Sequence, residues 1–251
     1  MNIKLVVTDL DGTLLRDDKT ISTRTRSAFA RLRENGIKTV YATGRGVSVV
    51  DVTSSIQFDG FVRNNGAVAY IQEKQIYKKA LPASSTRNIL LACDEAGIRV
   101  AAECGDMHYT NFTIPDDWDW QVNYKIVTFA EFNEKADKLF AIVDFPKVLD
   151  VVTQNLTDTQ YLYASRDGYA LVMHKDATKS KALASLADYW NIDKSEIVAF
   201  GDDTNDIDLL EYCGVGVAME NALNETKAVA DQVCGTNESD GVAEWIEENL
   251  L

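Results

Sequence analysis

Two carboxylates, Asp9 and Asp11, stand two residues apart at the end of the apolar run in "KLVVTDLDGTLL" (residues 4–15), with Gly12 directly behind them. Side chains i and i+2 of an extended chain point to the same side, so this spacing predicts that the two carboxylates converge. Converging carboxylates repel, and one of them holds its proton more tightly unless a cation intervenes. Few, hard oxygen ligands suit Mg2+, which keeps part of its water shell and takes up phosphate oxygens. A second acidic cluster, "GDDTND" at residues 201–206, follows another apolar run and supplies Asp202, Asp203 and Asp206. If the two runs are neighbouring strands, Asp202 completes the metal site. Between the clusters, "YATGR" (residues 41–45) offers Thr43 and Gly44, and Lys179 begins a segment capped by Thr178. A hydroxyl, a backbone N–H, a helix N-terminus and an ammonium group together make a phosphate cradle.

Such a site needs strands that end together and helices that begin there. Residues 3–8 are continuously apolar apart from Lys4 and Thr8, as in a strand buried on both faces. Ser22 caps a helix carrying Ala28, Phe29 and Leu32, Gly36 ends it, and residues 37–42 form the next strand, a βαβ unit. Residues 60–70 read as a third strand, a turn at Asn64-Asn65-Gly66 and the start of a hairpin. Late in the chain, Thr178 caps a helix bearing Ala182, Leu183, Leu186 and Trp190, residues 197–200 and 215–219 are strands, and Asp240 caps a last helix. This alternation predicts an α/β fold with a doubly wound, mostly parallel sheet. Its strands' carboxyl ends are where ligands bind.

The middle of the chain has another rhythm. Helices at 84–96 and 145–154 are each followed by two closely spaced strands, the second pair turning at Arg166-Asp167-Gly168. That pattern predicts an antiparallel sheet with helices on one face: a second, α+β domain spanning residues 82–175, inserted into a first made of 1–81 and 176–251. Trp118 and Trp120, in the acidic stretch "PDDWDWQVNY", read as anchors of a surface loop, with a substrate-facing rim that stacks on a sugar or ring as the alternative. His108 and His174 have no second ligand at metal spacing and read as ordinary strand residues.

Composition bounds the function. The chain has 251 residues, 46% hydrophobic and 25% charged, an ordinary globular balance. A net charge of −14 argues against broad binding to nucleic acid or to an anionic membrane. No apolar stretch reaches the roughly 18 residues of a spanning helix. The four cysteines lack paired spacing and, with no signal-peptide pattern at residues 1–12, point to the cytoplasm. Partners are then small molecules, and the protein is a monomer or small homo-oligomer.

With "DLDGTLL" (9–15), "ATGR" (42–45), "NNGA" (64–67), Lys179 and "GDDTND" in this order, the sequence resembles the haloacid dehalogenase superfamily of phosphatases, in particular Cof-type hydrolases with an inserted α/β cap. The resemblance implies a Mg2+-dependent phosphomonoester hydrolase acting on small phosphorylated metabolites such as sugar phosphates. Asp9 would be the nucleophile, phosphorylated in turn, and Asp11 the general acid and then base. The Leu10 N–H, Thr43, Gly44, Lys179 and Asn205 would hold phosphoryl oxygens. Asp9, the Asp11 carbonyl and Asp202 would bind the metal, with Asp206 supporting Lys179 or a metal-bound water. The inserted domain would be a lid that reads the leaving group. Ser180 departs from the glycine usual after the lysine. Phosphomutases resemble the same superfamily, so a phosphomutase, or a phosphate-binding regulator without turnover, stands as an alternative.

Overall fold

All four residues of the first strand, β1 (Leu5–Thr8), are buried, because helices cover both faces of the sheet it centres. The structure, a computed structural model, describes residues 2–47, 53–115 and 122–251. Trp118 and Trp120 lie outside the described residues. After β1 comes α1 (Thr23–Glu34), started by the Ser22 hydroxyl accepting from the Thr25 N–H at 3.0 Å. Then follow β2 (Lys38–Ala42), β3 (Gly60–Arg63), β4 (Val68–Ile71) and β5 (Lys74–Lys78). The middle of the chain gives α2 (Ala83–Glu95), β6 (Val100–Cys104), β7 (Met107–Thr110), β8 (Asn123–Ile126), β9 (Lys138–Ile142), α3 (Lys147–Gln154), β10 (Gln160–Ala164) and β11 (Tyr169–His174). The chain closes with α4 (Lys179–Trp190), β12 (Ile197–Gly201), α5 (Ile207–Tyr212), β13 (Val215–Met219), α6 (Asn224–Val229), β14 (Gln232–Cys234) and α7 (Gly241–Asn249).

The chain divides into two compact units. One takes residues 1–45, 49–78 and 178–251; the other takes 79–177 together with 46–48. Among the described residues of the first unit, eight strands run in the order β14-β13-β12-β1-β2-β3-β4-β5. The six from β14 to β3 are parallel, and β4 and β5 are added antiparallel. Alternation along β1 sends Val6 to one core, with α1 and α7, and Leu5 and Val7 to the other, with α4 and α5. The chain leaves β1 toward β2 on one side and returns to β12 on the other. The crevice of such a sheet opens at the carboxyl ends of these strands. β5 was not legible in the sequence. Asp240 stands at the N-cap of α7, but no side-chain cap forms; its carboxylate accepts from the Arg16 guanidinium at 3.0 Å instead.

The second unit has a sheet in the order β10-β11-β9-β6-β7-β8. Val100, Ala102, Leu139, Ala141, Ala170 and Val172, alternate residues of the three strands β6, β9 and β11, pack with α2 and α3 in one core, so these helices share one face. The expected all-antiparallel arrangement needs correcting: β7 and β8 pair in parallel. The sheet's interior strand β9 also separates the two strand pairs seen in the sequence. Together the units form an α/β fold, a doubly wound, mostly parallel sheet with an α+β insertion.

Candidate active site

Three adjacent strands, β12, β1 and β2, release Asp202, Asp9 and Thr43 just beyond their carboxyl ends. Asp9 continues the ladder for one residue, its N–H donating to the Phe200 carbonyl at 2.9 Å. Its carboxylate is buried and accepts from Lys179 Nζ at 2.6 Å, while the same ammonium donates to Asp206 Oδ1 at 2.5 Å. Lys179 sits in the first turn of α4, and its side chain is 0% exposed. The second oxygen of Asp206 accepts the Asp202 and Asp203 N–H groups at 3.0 and 3.2 Å, which ties the "GDDTND" loop into a turn. Asp202 Oδ1 accepts from the Thr13 hydroxyl at 2.9 Å. Gly12 has φ +79°, and a Cβ there would stand 2.5 Å from Asp202 Oδ2. Only glycine lets the two loops meet.

Asp9, Asp202 and Asp206, all buried, each bring an oxygen within 4.8 Å of the others. Three carboxylates around one ammonium leave an excess of two negative charges. Burial raises the Asp9 pKa well above the ordinary carboxylate value; Lys179 opposes this, and Asp206 and Asp202 reinforce it. For Lys179, burial favours the neutral amine, but Asp206 and then Asp9 outweigh it and the pKa is raised. All-oxygen donors with this charge deficit fit a hard divalent cation such as Mg2+.

Asp11 does not join Asp9 in a shared carboxylate cluster; cationic side chains hold it instead. Asp11 is outside the three-carboxylate group. Its carboxylate, 36% exposed, accepts from Arg45 Nε and a terminal nitrogen of Arg45 at 2.6 Å each, and from Lys19 Nζ at 2.9 Å. Burial works to raise its pKa, but the hydrogen bonds and charges of Arg45 and Lys19 prevail and lower it. The regular strand ends before Asp9. The Leu10 carbonyl accepts the Thr13 and Leu15 N–H groups, so the chain turns directly after Asp9.

The other expected residues lie as follows. Leu10 is fully buried beside Asp9. Thr43, also buried, accepts the Arg45 N–H on its hydroxyl at 3.1 Å. Gly44 lies against Asn65, whose Oδ1 accepts from Asn205 Nδ2 at 2.9 Å. Ser180 is accommodated: its N–H donates to Asp208 Oδ2 at 3.0 Å and its hydroxyl pairs with that of Thr178. His108 and His174 lie in β7 and β11, outside the metal group. Sequence reasoning missed Arg45, Thr13 and Asn65 as site residues, although each falls inside a quoted motif. Lys19 carried no signal.

The family model for haloacid dehalogenase-like hydrolases matches residues 6–246. The 5-amino-6-(5-phospho-D-ribitylamino)uracil phosphatase YitU of Bacillus subtilis is 29% identical, over 97% of this chain and 96% of its own length. The Escherichia coli phosphatase YbjI, named for the same compound, is 26% identical over 100% and 97%. Among solved structures, a haloacid dehalogenase-like hydrolase from Bacteroides thetaiotaomicron superposes with TM-score 0.88 at 25% identity, covering 98% of this chain and 99% of that one. The HAD subclass IIB sugar phosphatase BT4131 gives 0.85 at 25% identity, covering 98% of each.

Proposed function

Since the chain belongs to the haloacid dehalogenase-like hydrolases and is a phosphatase of that family, we propose that it hydrolyses phosphomonoesters of small, hydroxyl-rich metabolites through a phosphorylated Asp9. The observation that carries this reading is the buried Asp9–Lys179–Asp206 ladder beside Asp202, at the carboxyl ends of β1 and β12. An Asp9 oxygen attacks phosphorus, forming the acyl phosphate as the ester P–O bond breaks. Asp11 gives a proton to the departing alkoxide, then takes one from the water that hydrolyses the acyl phosphate and regenerates Asp9. Displacement at phosphorus spreads charge over the equatorial oxygens, so fixed donors do most of the work. Lys179, the Leu10 N–H, Thr43, Gly44 and Asn205 are the donors proposed for them. Mg2+ would be held by Asp9, Asp202 and the Asp11 carbonyl, with Asp206 in support; when bound it shields the carboxylate nucleophile from the phosphate dianion.

The inserted unit is proposed to read the leaving group. The compounds for which these relatives are named, a phosphoribitylaminouracil and sugar phosphates, have phosphate on a polyhydroxylated carbon chain, and that substrate class is proposed here. Four cysteines held outside any disulfide accord with a reducing, cytoplasmic setting. The test is a panel of sugar and polyol phosphates assayed for phosphate release with Mg2+ and with a chelator. Metal-dependent release from several members is expected. Migration of phosphate within a substrate, without release, would make the protein a mutase, and inertness toward the panel and toward p-nitrophenyl phosphate would overturn the reading.

A further inference from the structure

After β3 two consecutive asparagines adopt left-handed backbone conformations, Asn64 at φ +51° and Asn65 at φ +52°. Single asparagines tolerate this region, but two in a row persist only where their surroundings hold them. Gly66 explains part of the restraint, since a Cβ there would lie 2.1 Å from the Thr178 carbonyl, at the entrance to the helix carrying Lys179. Asn65 explains the rest. Its N–H donates to the Thr43 carbonyl at 3.0 Å. Its Oδ1 accepts from Asn205 Nδ2 at 2.9 Å. Its Oδ1 and Nδ2 lie 3.0 and 3.5 Å from where a Cβ on Gly44 would stand. Asn65, 2% exposed, therefore meets Thr43 through its backbone and Gly44 and Asn205 through its side chain, all three residues already proposed to hold the phosphoryl group.

The Nδ2 of that amide is buried and donates to no acceptor among the described residues. A buried donor without an acceptor loses its hydration with no return, and such groups mark places where a ligand completes the bonding. A phosphoryl oxygen is acceptor-only and anionic, and its hydrogen bonds to N–H groups are of the strong, charge-assisted kind. We infer that Asn65 is a further phosphate ligand, Nδ2 donating to a non-bridging oxygen of the substrate's phosphoryl group while Oδ1 orients Asn205. The inference rests on the phosphatase reading, which supplies the anion.

Two variants test it, read by calorimetric affinity for inorganic phosphate in Mg2+ buffer and by p-nitrophenyl phosphate kinetics. Asn65→Asp keeps the shape, tolerates positive φ and preserves the acceptor for Asn205, but replaces the donor with an oxygen. Asn65→Gly keeps the backbone conformation and removes the amide without adding charge. Both should weaken phosphate binding at least about tenfold, Asp more than Gly, with wild-type circular dichroism. Affinity within about twofold of wild type in Asn65→Gly would overturn the assignment. So would wild-type affinity in Asn65→Asp, which would reduce Asn65 to an acceptor for Asn205; this variant decides alone if Asn65→Gly does not fold. A wild-type protein that neither binds phosphate nor hydrolyses any phosphomonoester fails differently, taking the functional reading down with it.

Discussion

Asp9 is expensive to keep. Its pKa is raised chiefly by burial, so its ionised form opposes folding: the stability it allows is greatest below its ordinary pKa of 3.8 and is lost as pH rises toward the elevated folded value. Asp9→Asn removes one of three crowded carboxylates while its amide oxygen still accepts from Lys179. In metal-free buffer at pH 7 this variant should melt at or above the wild-type temperature, yet turn over about three orders of magnitude more slowly, ~4 kcal/mol in the barrier. A variant that is both less stable and still active would contradict the charge accounting and the nucleophile together. Arg45 invites a complementary change. Its guanidinium grips both oxygens of Asp11 at 2.6 Å, which fixes where that carboxylate points. Arg45→Ala should slow alkyl phosphates about tenfold or more, because an alkoxide needs a proton to leave. Arg45→Lys should recover part of that loss. p-Nitrophenyl phosphate, whose phenolate leaves unaided, should lose no more than about threefold. Equal losses on both substrates would show that Arg45 does not act through Asp11.

Elements divide into those that announce themselves and those that depend on neighbours. β1, β12 and β13 are buried on both faces, so their residues form unbroken apolar runs, and Ser22 and Thr178 mark helix starts by their own hydroxyls. The site was legible to the same extent, since motif residues fall where such elements end. β8, "NYKI", is exposed throughout and exists by pairing with β7, and β5, "KQIYK", leans likewise on β4. The pairing of Asp11 with Arg45 and Lys19 escaped because it joins residues separated by a turn and by a whole βα unit. β9 begins with a buried lysine, which reads as surface until its partner is known. That partner is Glu103 in β6, at 2.9 Å, with both side chains nearly buried, and His108 Nε2 stands 3.5 Å from the same oxygen. Burial pushes the Glu103 carboxyl up, but Lys138 first and then His108 bring it down to about 2. A carboxylate with lowered pKa stabilises the fold above its ordinary value of 4.5 and loses that contribution as pH falls toward 2. The shift corresponds to roughly 3 kcal/mol. Lys138→Met strands a buried carboxylate and should cost about 3–5 kcal/mol at pH 7. Without the lysine the Glu103 pKa rises, so the deficit should shrink when urea denaturation is repeated near pH 5, and Glu103→Gln in the same chain should restore most of the loss. A deficit independent of pH would mean that lost packing, not stranded charge, is the cause.

At the scale of the molecule, the apolar cores respect the division of the chain. Every buried residue of the two cores flanking the large sheet comes from outside 79–177, and every residue of the third core lies within it. An insertion with a private core need not lend stability to its host. The proposed chemistry draws only on residues of the first unit: Asp9, Asp11, Thr43, Lys179, Asp202, Asn205 and Asp206. If the second unit reads the leaving group, selectivity and phosphoryl transfer can be pulled apart. Residues 79–177 expressed alone, a segment of about 100 residues and so long enough to bury a core, should unfold in one cooperative urea transition. The remainder, with Lys78 joined to Thr178 by a flexible linker, should stay folded and hydrolyse p-nitrophenyl phosphate within about tenfold of the intact enzyme, ~1.4 kcal/mol in the barrier. On sugar and polyol phosphates its kcat/KM values should collapse toward one another, because differential contacts with the leaving group are what separate them. The informative quantity is the spread across the panel relative to the aryl phosphate rate. A folded remainder that keeps the full spread would relieve the insertion of any part in recognition. One that is folded but dead on the aryl phosphate would place a chemical role in residues 79–177, and the search for it would begin at the buried Glu103–Lys138 pair.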